Sequence, residues 1–151
     1  MKTILALDQA LSGTTGYSVY NKETKELVAT GKYSGGTLLG NKDKLVELLE
    51  EYDPVFVLLE DTQQQRNVQT FKLLSALLGV LQVTLEERGI KYEIVHVQRW
   101  RAKNDIRATN RATYKKLAQE KVAEVFNIKV TQDEAEAVLI GRYYFLSRIE
   151  F

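Results

Sequence analysis

The stretch TILALDQALSGTTGY (Thr3–Tyr17) carries four apolar residues, Ile4-Leu5-Ala6-Leu7, straight into Asp8 and then into a turn rich in Gly and Thr. A short apolar run bounded by turn residues predicts a buried strand. A carboxylate at the rim of a core costs free energy unless something compensates it. Asp8 is therefore either the cap of a turn or the ligand of a cation, and the rest of the chain has to decide between them.

The same arrangement recurs at VFVLLE, where an apolar run from Val55 ends in Glu60. A run apolar on both faces is typical of a central parallel strand. Between the two runs, Tyr17–Tyr20 and ELVATGKY (Glu26–Tyr33) predict strands joined by short polar turns, an antiparallel meander. GGTLLGNKD is expected to be a loop, and Leu45, Leu48 and Leu49 mark a short amphipathic helix over Lys42–Tyr52. After the polar loop DTQQQRN, a helix over Val68–Arg88 shows a stripe of Phe71, Leu74, Leu78, Leu81 and Leu85, widened by Leu73, Leu77 and Val80, and Gly89 stops it. KYEIVHV (91–97) predicts a further strand, Ala108–Phe126 a basic amphipathic helix, and a last helix starts at Thr131. Strands first as a meander, then alternating with helices, predict a mixed α/β sheet with helices on both faces.

A chain of 151 residues fits one domain, 1–151, burying about two-thirds of its unfolded surface. The absence of cysteine excludes disulfides, thiol catalysis and thiolate metal sites, and suits a reducing compartment. Too few apolar residues precede Asp8 for a signal-peptide core, and no stretch is expected to reach the roughly 18–20 apolar residues of a membrane span. The expectation is a soluble cytoplasmic protein with no membrane partner. Net charge is only +1, but residues 91–121 hold nine basic and three acidic side chains, while residues 1–60 hold six and nine. Such a basic segment is either an electrostatic footprint for phosphate or a solvated helix face.

Asp8 and Glu60 both end apolar strands, at the edge where α/β sheets place ligands. The segment TQDEAEA adds more acids: Thr131 and Glu134 have capping-box spacing, which leaves Asp133 and Glu136 on one helix face. Each acid also has an ordinary role open to it: Asp8 capping a turn, Glu60 pairing with Arg66, Asp133 complementing the helix dipole. Taken together, Asp8, Glu60, Asp133 and Glu136 would repel one another unless neutralised. Filled with Mg²⁺, or Mn²⁺ in its place, such a cluster is a two-metal phosphodiester hydrolysis site. No Ser-His-Asp set competes, because the single histidine, His96, falls in an alternating strand as a surface or rim residue.

Asp8 with the downstream Thr15-Gly16-Tyr17, VFVLLE ending at Glu60, and DEAEA opening the last helix resemble the RuvC-type Holliday junction resolvases, nucleases of the ribonuclease H-like superfamily. The likeness runs over nearly the whole chain in the same element order, and the compact length resembles phage-encoded members. It implies a ribonuclease H-like fold with a mixed five-stranded sheet. It also implies a homodimeric, Mg²⁺-dependent endonuclease, with two ions per site and no small-molecule cofactor, that cuts four-way and other branched DNA at paired positions in recombination and repair. Carried over, Asp8 matches the aspartate that bridges both ions, Glu60 the second ligand, and Asp133 and Glu136 the pair on the last helix. Lys115 and Lys116 are the nearest matches to the basic groups at the scissile phosphate. The sequence departs from the family pattern in three places. DPG after the first aspartate is here Asp8-Gln9-Ala10, the last acid is Glu136 rather than aspartate or histidine, and the loop after Glu60 is rich in glutamine.

On this reading Arg99, Arg101, Lys103, Arg107, Arg111, Lys115 and Lys116 line the DNA arms. Gln63, Gln64, Gln65 and Arg66 contact the junction, and Trp100 and Phe71 either stack on exposed bases or belong to the core. Paired cuts call for two sites related by a two-fold axis, and the broad apolar stripe of Val68–Arg88 is the expected dimer face. Three other readings stand beside it. They are an RNA-processing nuclease of the YqgF type, a phosphate-binding ATPase domain of the actin/hexokinase type, and a non-catalytic nucleic-acid-binding module. The second needs two such domains, and the third would be expected to lose the carboxylates that remain here.

Overall fold

The computed structural model describes residues 1–62 and 67–148. Its sheet has five strands: β1 (Thr3–Asp8), β2 (Thr15–Asn21), β3 (Leu27–Tyr33), β4 (Phe56–Glu60) and β5 (Lys91–Val95), in the order β3-β2-β1-β4-β5. β1 pairs antiparallel with β2 and β2 with β3, whereas β1–β4 and β4–β5 are parallel. The meander is thus joined to a parallel half along β1, the mixed sheet expected from the apolar runs.

Five helices cover both faces: α1 (Leu38–Tyr52), α2 (Val68–Glu87), α3 (Val97–Lys103), α4 (Arg111–Phe126) and α5 (Gln132–Leu146). Strand alternation sorts the core. Leu5 and Leu7 of β1, with Val57 and Leu59 of β4, pack against Leu45 and Leu49 of α1 and Leu77, Leu81 and Leu85 of α2. Ile4, Ala6 and Leu58 face the other way, onto Trp100 of α3, Val122 of α4 and Val138, Leu139 and Ile140 of α5. Helix α5 is tied to the meander by side chains: Ser18 Oγ donates to the Ala137 carbonyl at 2.7 Å, and Tyr20 Oη to that of Val138.

Several boundaries differ from the sequence expectation, each for a local reason. Helix α1 begins at Leu38, inside the expected loop, because the Thr37 hydroxyl accepts the Gly40 N–H at 2.9 Å and caps it. Helix α4 begins at Arg111 rather than Ala108, capped by Asn110. The strand expected over 91–97 stops at Val95. His96 leaves the sheet as an exposed N-cap whose Nδ1 accepts the Gln98 N–H at 3.2 Å, starting the short helix α3. Thr131 caps α5, its Oγ1 accepting the Glu134 N–H at 3.3 Å; the Glu134 carboxylate reaches back to side chains, accepting from Thr131 Oγ1 at 2.9 Å and from Thr30 Oγ1 at 3.0 Å.

Helix α2 ends one residue before the expected Arg88, and its 20 residues are long and apolar enough, by length and composition, to cross a membrane, which corrects the expectation that no segment is. Leu77, Leu78, Leu81 and Leu85 are nevertheless buried on the sheet. Val83, on the side away from that stripe, is half exposed, and so are Val68 and Leu73 in the first turns of the helix.

Candidate active site

Asp8 falls on the α5 face of the sheet because it follows Ile4 and Ala6 by twos, and Glu60 follows Leu58 in the same way. The parallel register pairs Leu7 with Leu59, so the two acids end adjacent strands one residue past that pair and on the same side. Helix α5 supplies the others. Asp8 pairs with Gly16 across β1–β2, and a Cβ built on Gly16 would lie 2.0 Å from the Asp133 carbonyl oxygen. Only a glycine at this position lets the first turn of α5 press onto the strand beside Asp8. Asp133 and Glu136, three residues apart, then look into one cleft of about 500 Å³ together with Asp8 and Glu60.

The electrostatics are those of crowded acids. Burial lifts the Asp8 carboxyl well above the usual carboxylate range, and the charges of Glu60, Glu136 and Asp133 add to the rise. Burial pushes Glu60 up to about 7, opposed by the Trp100 indole N–H and by the Arg101 and Arg111 charges, and reinforced by Glu136. Among the described residues, no three Asp, Glu or His side chains are grouped closely enough, as they stand, to hold an ion between them. The acids line one cleft rather than a closed cage.

Glu60 is held at both ends. Trp100 Nε1 donates to Glu60 Oε2 at 2.6 Å. The Gln9 amide grips the backbone, with Nε2 donating to the Glu60 carbonyl at 2.6 Å and Oε1 accepting the Glu60 N–H at 3.2 Å. Trp100 is 1% exposed, so the stacking role considered for it is excluded in this conformation; it is a core residue that buttresses an acid. Phe71 is half-buried on α2.

The basic side chains divide. Arg101 does not lie along an outer DNA surface. It sits in the cleft with its guanidinium 3.9 Å from the centre of the Tyr114 ring, and its Nε is the one buried side-chain polar atom without a hydrogen-bond partner among the described residues. Arg111 and Lys115, at the start of α4, also line the cleft. Lys116, expected beside Lys115 at the scissile phosphate, is exposed and is not among the residues that line the cleft. Arg99, Lys103 and Arg107 are exposed on α3 and the segment after it, Arg107 3.8 Å from Asp105. Gln63, Gln64, Gln65 and Arg66 lie outside the described residues, and so does any Glu60–Arg66 pairing. Sequence reasoning missed Gln9, Tyr114 and the place of Arg101. The one available signal was Gln9 itself, directly beside Asp8 where the turn departs from the family pattern.

No protein-family model and no curated protein matches the sequence. Solved structures do match in shape. Thermus thermophilus RuvC in complex with a Holliday junction substrate superposes with a TM-score of 0.77 at 13% identity, over 97% of this chain and 94% of that one. The fowlpox virus resolvase in complex with Holliday junction DNA gives 0.69 at 16% identity, over 98% and 99%. The yeast mitochondrial Holliday junction resolvase gives 0.56 at 12% identity, over 95% and 77%. The chain has the RuvC-type, ribonuclease H-like fold.

Proposed function

We propose that this chain is a metal-dependent endonuclease that resolves four-way DNA junctions, and related branched DNA, by paired phosphodiester hydrolysis. The observation that carries the proposal is the cleft. Four carboxylates from β1, β4 and α5 share it with Arg101, Arg111 and Lys115, in a fold also taken by resolvases solved with junction DNA.

The residues fit divalent cations. Every anionic donor is a hard carboxylate oxygen, and their mutual repulsion is the kind that Mg²⁺ or Mn²⁺ relieves. Asp8, Glu60, Asp133 and Glu136, the four acids of the cleft, would hold the ions. When bound, the ions would activate a water and stabilise the leaving oxygen. The chain's own groups do the rest. Gln9 and Trp100 fix the direction of Glu60, and Gly16 lets α5 deliver Asp133 and Glu136. Arg101, whose buried Nε has no hydrogen-bond partner among the described residues, lines the cleft with Arg111 and Lys115, and the three would meet a phosphate bound there. Arg99, Lys103 and Arg107 extend the positive surface along the DNA arms and bind phosphates without reading sequence. Two cuts require two copies, and the exposed Val68, Leu73 and Val83 of α2 are the dimer face.

The test is incubation with Mg²⁺ and either a synthetic four-way DNA junction or a structured RNA, beside Asp8→Asn. Paired symmetric nicks in the junction, lost in Asp8→Asn while junction binding survives, support the proposal. Cleavage of RNA alone, or of neither substrate, overturns it.

A further inference from the structure

We infer that Gln9 and Trp100 are positioning residues that set divalent-ion affinity through Glu60, an inference that rests on the metal-site reading above. The register of β1 with β4 ends at Leu7–Leu59, so Glu60 would otherwise project beyond the last backbone rung of the pair. Gln9 supplies the missing rung with its side chain: an amide presents the same donor and acceptor as a peptide group, and it engages both the N–H and the carbonyl of Glu60. The strand end is thereby fixed after β1 itself has turned away. A Pro-Gly pair at positions 9 and 10 would offer no such amide.

Trp100 fixes the other end, the carboxylate. Its indole N–H takes Oε2, which leaves the remaining Glu60 oxygen lone pairs free for a cation and removes rotation about the carboxyl. Trp100 is itself anchored. Asn104 Nδ2 donates to the Trp100 carbonyl at 2.7 Å and to the Leu139 carbonyl at 3.0 Å, and Arg142 Nη1 donates to Asn104 Oδ1 at 3.0 Å. Leu139 and Arg142 belong to α5, the helix that carries Glu136. The chain Glu60–Trp100–Asn104–α5 therefore ties the carboxylate of β4 to the helix holding the other acids.

Trp100 is the only tryptophan in the chain, so its emission reports on the contact directly. Three measurements on the full-length protein test the inference: Mn²⁺ affinity by calorimetry, tryptophan emission on adding Mg²⁺, and the Mg²⁺ concentration for half-maximal junction cleavage. Trp100→Phe keeps an aromatic ring in the core, though a smaller one, and deletes the donor, while Gln9→Ala acts from the opposite end and leaves the core intact. Removing such an outer partner typically weakens metal binding by about 10–100-fold. The expected result is at least a tenfold weaker Mn²⁺ affinity in each variant, with cleavage largely recovered at saturating Mg²⁺, and a wild-type emission change on Mg²⁺ addition that Glu60→Gln abolishes. Wild-type Mn²⁺ affinity in both variants, whatever happens to their thermal stability, overturns the positioning role alone. Absence of Mn²⁺ binding by the wild type overturns the metal-site reading and the inference with it.

Discussion

Gly16→Ala strikes the site through the backbone rather than through any carboxylate. The added Cβ would stand 2.0 Å from the Asp133 carbonyl oxygen and 2.4 Å from its carbon, where ordinary contact begins at 3.4 Å. About 1.4 Å of movement is needed. Gly16 cannot supply it, because it is paired on one side to Asp8 and on the other to Lys32 in the middle of the sheet. The first turn of α5 must lift instead, against its anchors Thr131, Glu134 and Thr30. Overpacking of this kind costs about 1–3 kcal/mol, a loss the fold can carry. The effect on chemistry is larger, since a misplacement near 1 Å costs on the order of 100-fold in rate. The assay is single-turnover cleavage of a labelled four-way junction at saturating protein and Mg²⁺, with junction affinity and thermal midpoint measured alongside. Cleavage is expected to fall about 100-fold with affinity changed by less than about threefold, because the phosphate contacts lie elsewhere. Gly13→Ala is the control: its Cβ would meet only the Ala10 Cβ, at an ordinary 3.6 Å, and the rate should not change. A Gly16→Ala enzyme cutting within about threefold of wild type would refute the claim that this contact places the α5 acids.

Two further outcomes follow from the same structure. Glu60 is raised from 4.5 to about 7, so the folded, metal-free protein holds a proton that the unfolded chain releases. Stability is therefore full below about pH 4.5 and declines as pH rises through about 7, by about 3 kcal/mol from this group. That corresponds to a melting temperature roughly 6–12 °C lower at about pH 8 than at about pH 5 in EDTA. Mg²⁺ should restore it, Glu60→Gln should flatten the slope, and a metal-free midpoint that stays level or rises over this range contradicts the acid crowding. Leu73→Glu places a charge at a half-exposed position of α2, one turn before the buried Leu77. Sedimentation should show a folded monomer where the wild type is a dimer, with paired cuts replaced by single nicks; an unchanged dimer removes α2 as the interface.

The parts legible in the sequence were those with a local signature. Two apolar runs ending in Asp8 and Glu60 announced strands and the edge at which they stop; that both acids lie on one face depends on the β1–β4 register, which the sequence does not carry. Thr131 and Glu134 marked the start of α5 by their spacing. Legibility failed where a short element interrupted a longer rhythm. The alternation of KYEIVHV continues past Val95, yet His96 caps α3 there, and that seven-residue helix turns Trp100 inward and brings Arg101 into the cleft. It also failed where a bond spans the chain: Gln9 meets Glu60 across 51 positions and Trp100 meets it across 40, distances over which no periodicity carries information. The apolar excess of α2 was visible as a broad stripe, but which flank lay on the sheet depended on the register of the packing.

The central claim is that Asp8, Glu60, Asp133 and Glu136 together hold divalent cations in the cleft between β1, β4 and α5. Crystals soaked in Mn²⁺ and measured for anomalous scattering at the manganese edge test it most directly. The account expects two peaks in the cleft about 3.5–4 Å apart, with Asp8 between them and both lost in Asp8→Asn. Anomalous peaks held by other residues, or none in the cleft of wild-type protein at saturating Mn²⁺, would contradict it.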